Sequence, residues 1–193
     1  GFLPDVALPR RMWAGGRLRY HVALPVGGMA EKHSEILDVT SKSGRAGQLV
    51  FVTVRHRILF QGQLCIEEEQ DIVYREAPSP DAPKPQLAPA PQGAEWSEQF
   101  VPDPVVLFRY SALTSNGHRI HYDQPYATEE EGYPNLVVHG PLIATLLQGF
   151  GAKCRPSQTL TSFDFRGMAP LFVDRPFHLE AKPGDDDSTL DLW

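Results

Sequence analysis

Apolar and polar positions alternate along the first third of the chain. Leu18, Tyr20, Val22 and Leu24 are interleaved with Arg19, His21 and Ala23, the period-two pattern of a half-buried strand. Pro25 and Gly27-Gly28 interrupt it. Residues 31–42 are mixed, with Ile36, Leu37, Val39 and Thr40 at their centre, and 43–47 read as a loop. Residues 48–60 are rich in Val, Phe and Ile and predict a strand. Gln61-Gly62 fits a tight hairpin turn, with residues 63–75 returning as the partner strand. The expectation is about four strands in an antiparallel meander.

The pattern then breaks. Pro78, Pro80, Pro83, Pro85, Pro89 and Pro91 alternate with Ala, Ser, Lys and Gln, a composition that blocks helix and central strand alike and favours an extended linker. This predicts a first portion at 1–76, a linker at 77–99 and a second portion at 100–193. The second portion opens with a short apolar run at 105–108, followed by a polar loop at 114–124. The clearest helical period follows, with Leu142, Ile143, Leu146, Leu147 and Phe150 on one face. Pro141 suits its first turn, and Gly149 and Gly151 mark its expected end. Strands are expected at 158–166, 171–181 and 188–193, with a turn at Pro183-Gly184-Asp185. One long apolar helix followed by antiparallel strands predicts a sheet wrapped around a helix. If the first portion repeats this plan, its helix lies upstream of Gly1. The opening without Met, and the end inside a strand-like stretch at 190–193, lead to the expectation of a longer protein.

Charge narrows the partners. The 193 residues carry a formal net charge of −6, and the absence of a polybasic run argues against nucleic acid. An anionic ligand therefore needs local cations, and Arg10, Arg11, Arg17 and Arg19 form one such group, equally readable as a solvated edge. Cys65 and Cys154 make no metal or redox spacing. Two lone cysteines and the absence of a signal-peptide pattern make the cytoplasm the default location. No apolar run reaches the ~20 residues needed to span a bilayer, so no membrane association is expected.

Three stretches could carry chemistry. Residues 110–123 crowd Asn116, His118, Arg119, His121 and Asp123 into one loop; loops held by a scaffold often bear reactive groups, but a polar surface turn has the same composition. His139-Gly140 opens the long helix, where unpaired N–H groups and the dipole favour an oxygen gaining negative charge; an ordinary cap is the alternative. Arg166, next to Gly167 on a strand, could face a ligand, or be an exposed arginine at a sheet edge. Nothing in these stretches suggests a metal site.

The order of these stretches resembles the hydratase 2 motif of MaoC-like, (R)-specific enoyl-CoA hydratases. The motif histidine falls on His121, its aliphatic neighbour on Ile120, its later aspartate on Asp123 and its helix-start glycine on Gly140. Two positions depart: the motif's catalytic Asp falls on Asn116, and its Asn-Pro pair on His118-Arg119. The variant Asn-Gly-His-Arg-Ile-His-Tyr-Asp is similar to a subgroup containing mesaconyl-C4-CoA (3-methylfumaryl-CoA) hydratases, itaconyl-CoA hydratases and a mitochondrial hydroxyacyl-thioester dehydratase. Residues 8–16 and 68–75 resemble the mesaconyl-CoA group as well.

The resemblance implies an α+β double hot-dog fold, antiparallel sheets each wrapped around a central helix, with the amino-terminal hot dog degenerate or incomplete. It implies a hydro-lyase that adds water reversibly to an α,β-unsaturated acyl-CoA. His121 is implied as the base, Asn116 as the holder of water and Gly140 as the thioester-oxygen site. His118 and Asp123 are candidate supports of these groups. A mesaconyl or itaconyl substrate, hydrated to citramalyl-CoA, ends in a carboxylate that needs a cation. Arg119, then Arg166, are the candidates for it, with His139 as a further substrate contact, while Arg10, Arg11 and Arg17 could meet the CoA phosphates. No cofactor is implied beyond the CoA of the substrate, and a homodimer is among the assemblies allowed. Rival readings are a 3-hydroxyacyl dehydratase acting on acyl carrier protein, a hot-dog thioesterase, and a non-catalytic acyl-thioester binder.

Overall fold

A computed structural model describes residues 2–44, 47–77 and 88–193. Residues 45 and 46 of the expected loop, and 78–87 of the proline-rich stretch, lie outside the described residues. The chain divides into two units, Gly1–Gln86 with Leu160–Gly167, and Leu87–Thr159 with Met168–Trp193.

The first unit is one antiparallel sheet of five strands in the order β2-β3-β4-β1-β6. Its strands are β1 (Arg10–Tyr20), β2 (Ala30–Gly44), β3 (Gly47–Phe60), β4 (Gln63–Arg75) and β6 (Ser162–Arg166). The β3–β4 turn has positive φ at both Gln61 (50°) and Gly62 (78°), the conformation that matches the twist of a two-residue hairpin. Val50, Val52, Val54 and Tyr74 are buried on one face, with Leu3, Val6, Leu8, Ile36 and Ile72 packed on them.

The meander holds from β2 to β4, but β1 pairs with β4 and not with β2. That leaves β2 as an edge strand, mostly exposed on both sides, which explains its mixed sequence. On its other side β1 accepts β6, a strand that follows the long helix in sequence. The approach is close: a Cβ on Gly15 would lie 2.5 Å from the Phe165 carbonyl oxygen, and one on Gly16 would lie 2.9 Å from that of Glu69. Trp13 stacks on Phe165 with ring centroids 5.1 Å apart. The Trp13-Ala14-Gly15-Gly16 stretch thus serves strand pairing.

In the second unit α1 (Pro104–Thr114) and α2 (Gly140–Cys154) accompany a three-stranded sheet, β5-β7-β8, with β5 at Trp96–Phe100, β7 at Phe177–Pro183 and β8 at Leu190–Leu192. The apolar run at 105–108 is helical. Asp103 caps it by accepting from the N–H groups of Val105 and Val106, and Pro104 occupies the first turn. β5 takes its first four residues from the stretch expected as linker. Helix α2 runs past both glycines expected to end it. Gly151 serves another purpose: a Cβ there would meet Leu192 Cδ1 at 3.4 Å, so the bare backbone lets α2 lie near β8. The buried cluster joins Leu107 of α1, Ile120, Ala127, residues 136–138 and Leu142 of α2. Among the described residues, no helix is long and apolar enough to cross a membrane.

Candidate active site

The loop after α1 is built by a succession of local hydrogen bonds. Ser115 closes the helix in the left-handed conformation (φ 54°, ψ 32°), and the Asn116 N–H donates to the Ser111 carbonyl at 2.8 Å. Asn116 Oδ1 then accepts the His118 N–H at 3.0 Å, which sets up a single 3-10 turn at Arg119–His121. Arg119 donates through Nε and Nη2 to Asp123 Oδ2 at 3.0 and 2.7 Å and lies over the Tyr126 ring, 4.1 Å from its centroid. Asp123 Oδ1 accepts the Tyr126 N–H at 3.2 Å and so starts the π-helical turn at Tyr126–Glu130. Tyr122 Oη donates to the Gly117 carbonyl at 2.9 Å.

Val137 clamps this loop from the far side. Its N–H donates to the Ile120 carbonyl at 3.0 Å, and its own carbonyl is 2.7 Å from His121 Nδ1. A carbonyl only accepts, so Nδ1 carries the proton and Nε2 keeps the lone pair in neutral His121. His121 is 7% exposed. Burial pushes its pKa down to about 4, with His118 adding to the fall and the Val137 bond opposing it. The ring is therefore a neutral base at ordinary pH.

Beneath it lies His139, wholly buried. The two rings stack with centroids 3.7 Å apart and planes 16° apart. His118 meets His121 edge-on at 5.5 Å, and Tyr110 meets His139 edge-on at 4.9 Å. Ser111 Oγ is 2.8 Å from His139 Nε2. Burial, then the neighbouring His121 and His118, hold His139 down at about 3. Gly140 begins α2 immediately after His139, where the first helical N–H groups have no intrahelical acceptor.

The structure thus gathers His118, His121, His139, Asn116, Arg119, Asp123 and Gly140 in one unit. Arg119 is exposed and already ion-paired. Arg10, Arg11, Arg17 and Arg166 belong to the other unit. There Arg17 is held by Glu69 and Asp71 at 2.8 and 2.6 Å, and Arg19 by Asp164 at 2.6 Å. Arg166 sits exposed at the end of β6, paired in register with Gly15. Tyr110 and Ser111 escaped sequence reasoning. The one available signal was the Asp103-Pro104 cap, which would have phased a helix carrying both toward His139.

Two buried neutral histidines make stability pH-dependent. An unfolded histidine titrates near 6.5, whereas folded His121 does so near 4 and His139 near 3. Between those values the unfolded chain binds more protons. Stability is accordingly full above about 6.5 and falls as the pH drops toward 4. His56 of the first unit, also shifted down by burial, acts in the same direction. Thermal melting followed from pH 7.5 to 4.5 is expected to show a steadily falling midpoint. A midpoint constant over that range would contradict neutral burial of these rings.

Comparison with known proteins identifies relatives of the chain. The family model described as hydroxyacyl-thioester dehydratase type 2 matches residues 1–173. The chain is 52% identical over 187 residues to the mesaconyl-C(4)-CoA hydratase of Chloroflexus aurantiacus, covering 96% of this chain and 66% of that protein. It is 33% identical to the mitochondrial hydroxyacyl-thioester dehydratase type 2 of Schizosaccharomyces pombe, covering 88% of this chain and 64% of the relative. The chain therefore spans slightly under two thirds of the length of either. Among solved structures, a MaoC-like dehydratase from Phytophthora capsici superposes with a TM-score of 0.75 at 12% identity, covering 98% of this chain and 66% of that one. A Mycobacterium tuberculosis protein described as having a double hot-dog fold gives 0.60 at 16% identity, covering 96% and 67%. At such identities the likeness is one of fold, and the architecture is α+β hot-dog.

Proposed function

Because the chain belongs to the hydroxyacyl-thioester dehydratase type 2, MaoC-like hydratase family, we propose that it is a hydro-lyase adding water reversibly across the double bond of an α,β-unsaturated acyl-CoA. The observation that carries this reading is the His121 imidazole, neutral, protonated on Nδ1 against Val137 and left with its Nε2 lone pair. Nε2 takes a proton from water as the water oxygen bonds to Cβ. The displaced π electrons move through Cα to the thioester oxygen, forming an enolate. The Gly140 N–H and the positive end of α2 stabilise that oxygen. The His121 imidazolium then returns its proton to Cα, so the base is regenerated. Asn116 has Oδ1 engaged by the His118 N–H, which leaves its Nδ2 protons to hold the water oxygen.

For the acyl group the reading is mesaconyl-C4-CoA or itaconyl-CoA, with citramalyl-CoA as product. The likeness to the mesaconyl-C(4)-CoA hydratase supports it. Arg119 is the cation for the distal carboxylate: Asp123 uses its Nε and Nη2, so Nη1 lies outside that pair. The lone cysteines favour the cytoplasm. A second reading, a 3-hydroxyacyl thioester with an apolar chain, is favoured by the name of the 33% identical relative.

A panel of enoyl-CoA compounds with and without a distal carboxylate, followed by loss of enoyl absorbance, tests the reaction and the substrate together. Thiol release without loss of the double bond would instead indicate a thioesterase. Arg119→Ala is expected to lower kcat/KM roughly 10–100-fold on the carboxylated substrate, the worth of a lost charge-assisted bond, and to leave crotonyl-CoA nearly unaffected. Equal losses on both would reassign Arg119 to holding the loop through Asp123.

A further inference from the structure

His139 has no task in the chemistry above, yet its ring is held by one hydrogen bond and by ring contacts on face and edge. Its side chain is wholly buried, so it presents no surface to a ligand. Nδ1 has no hydrogen-bond partner among the described residues. An apolar side chain of similar size would fill the space without stranding a nitrogen. What the position does supply is a flat ring under another flat ring. One hydrogen bond, from His121 Nδ1 to Val137, still tolerates rocking of the ring about its Cα–Cβ and Cβ–Cγ bonds. Contact with His139, at 3.7 Å and 16° between planes, limits that rocking. His139 is fixed in turn by Ser111 Oγ at 2.8 Å from Nε2 and by the Tyr110 ring against its edge.

We propose that His139, locked by Ser111, is a positioning residue: a neutral aromatic floor that sets the plane of His121 and hence the aim of its Nε2. The floor must also stay neutral, because a protonated His139 would repel the imidazolium that His121 becomes. Among the described residues, the titratable groups shown against the pair are His118 from the loop and Tyr110 from α1, neither of them a carboxylate or a fixed cation; Ser111 and the Val137 carbonyl also touch it. Burial, with the neighbouring His121 and His118, holds His139 well below its ordinary value, in keeping with a floor that stays uncharged while its partner cycles. The kinetic part of this inference rests on the hydratase reading; the ring geometry does not.

The test uses the whole chain and three variants, His139→Ala, His139→Phe and Ser111→Ala. Two quantities are read: kcat and KM for crotonyl-CoA hydration, and the NMR titration of the His121 ring. His139→Ala is expected to lower kcat about 10²-fold, the effect of a small misplacement of a reacting group, with KM within about 3-fold. Its His121 titration should move up toward 6.5 as water enters. His139→Phe keeps the flat face and excludes water, and should recover at least about 10-fold of the lost kcat and return the titration downward. Ser111→Ala should shift both readings the same way as His139→Ala, by less. A His139→Ala protein with raised KM and unchanged kcat would make His139 a substrate contact and overturn the proposal. A phenylalanine variant as poor as the alanine variant would overturn it too, by giving the role to the nitrogens. If the alanine variant does not fold, the phenylalanine and Ser111 variants decide by the same readings. If the wild-type protein hydrates no enoyl thioester, the NMR titration still decides: a His121 midpoint unmoved by loss of the His139 ring would remove the floor.

Discussion

Replacing His121 with alanine is expected to lower kcat for enoyl-thioester hydration by about 10²–10⁴-fold, the usual worth of a positioned general base. The expectation follows from its unusual state. Among the described residues, His121 is hydrogen-bonded through Nδ1 alone, to Val137. Its pKa is pushed down to about 4, so the lone pair on Nε2 is present throughout the neutral range. The wild-type rate should accordingly rise with pH through about 4 and level off well below 7. The substitution removes one hydrogen bond to a carbonyl and uncovers the His139 ring, so some stability is lost. Circular dichroism and melting should nonetheless show a folded protein, because the Val137 N–H still bonds to Ile120 and the apolar cluster around Leu107 is untouched. Near-wild-type turnover by a folded His121→Ala protein would exclude His121 as the base.

Asn116 carries the second large effect. Asn116→Ala is expected to cost about 10²-fold in kcat, since a preorganised donor to water disappears. The same change removes the acceptor for the His118 N–H and loosens the turn that presents His121. Asn116→Asp separates these roles. Its carboxylate still accepts the His118 N–H, so the turn persists and substantial activity should remain. A negative charge near His121 favours the protonated imidazole and raises its pKa, so this variant should need a higher pH than wild type to reach its plateau. pH–rate profiles of the three proteins on the best substrate check both statements. An alanine variant as active as wild type would end the water-holding role and turn attention to His118 or Asp123.

The difference between expectation and structure is clearest at the histidines. The residues in the loop and at the helix start were legible one by one, because His-rich loops and His-Gly helix starts are local signals. Their stacking was not. It depends on Val137 gripping the loop from one side and Ser111 of α1 gripping His139 from the other, contacts 16 and 28 residues apart in sequence. Arg119 is similar: its charge was legible, but its commitment to Asp123 one helical turn later required the 3-10 and π-helical turns that no apolar period announces.

The sequence alone determined the elements whose signals are local. Richness in Val, Phe and Ile set β3, and the hairpin return set β4; the alternation at 18–24 met only the last three residues of β1, since 21–24 are exposed and outside any strand. Two positive-φ residues set the Gln61-Gly62 hairpin, and a 3.6-residue apolar period with Pro141 set the start of α2. In each case neighbouring residues decide the outcome through sterics and the burial of one face. The tertiary structure alone decided which strand lies beside which. Period two says that a strand has a buried face but not what its edges bond to, so the pairing of β1 with β4 and β6, and the exposed edge of β2, could not be read. It also decided that Gly151 marks a close approach to β8 and not an end; the helix at 105–108, by contrast, was signalled locally by the Asp103-Pro104 cap and went unread. Above all the tertiary structure decided burial. A histidine is a base, a ligand or a floor according to what covers it, and what covers His121 and His139 comes from segments distant in the chain.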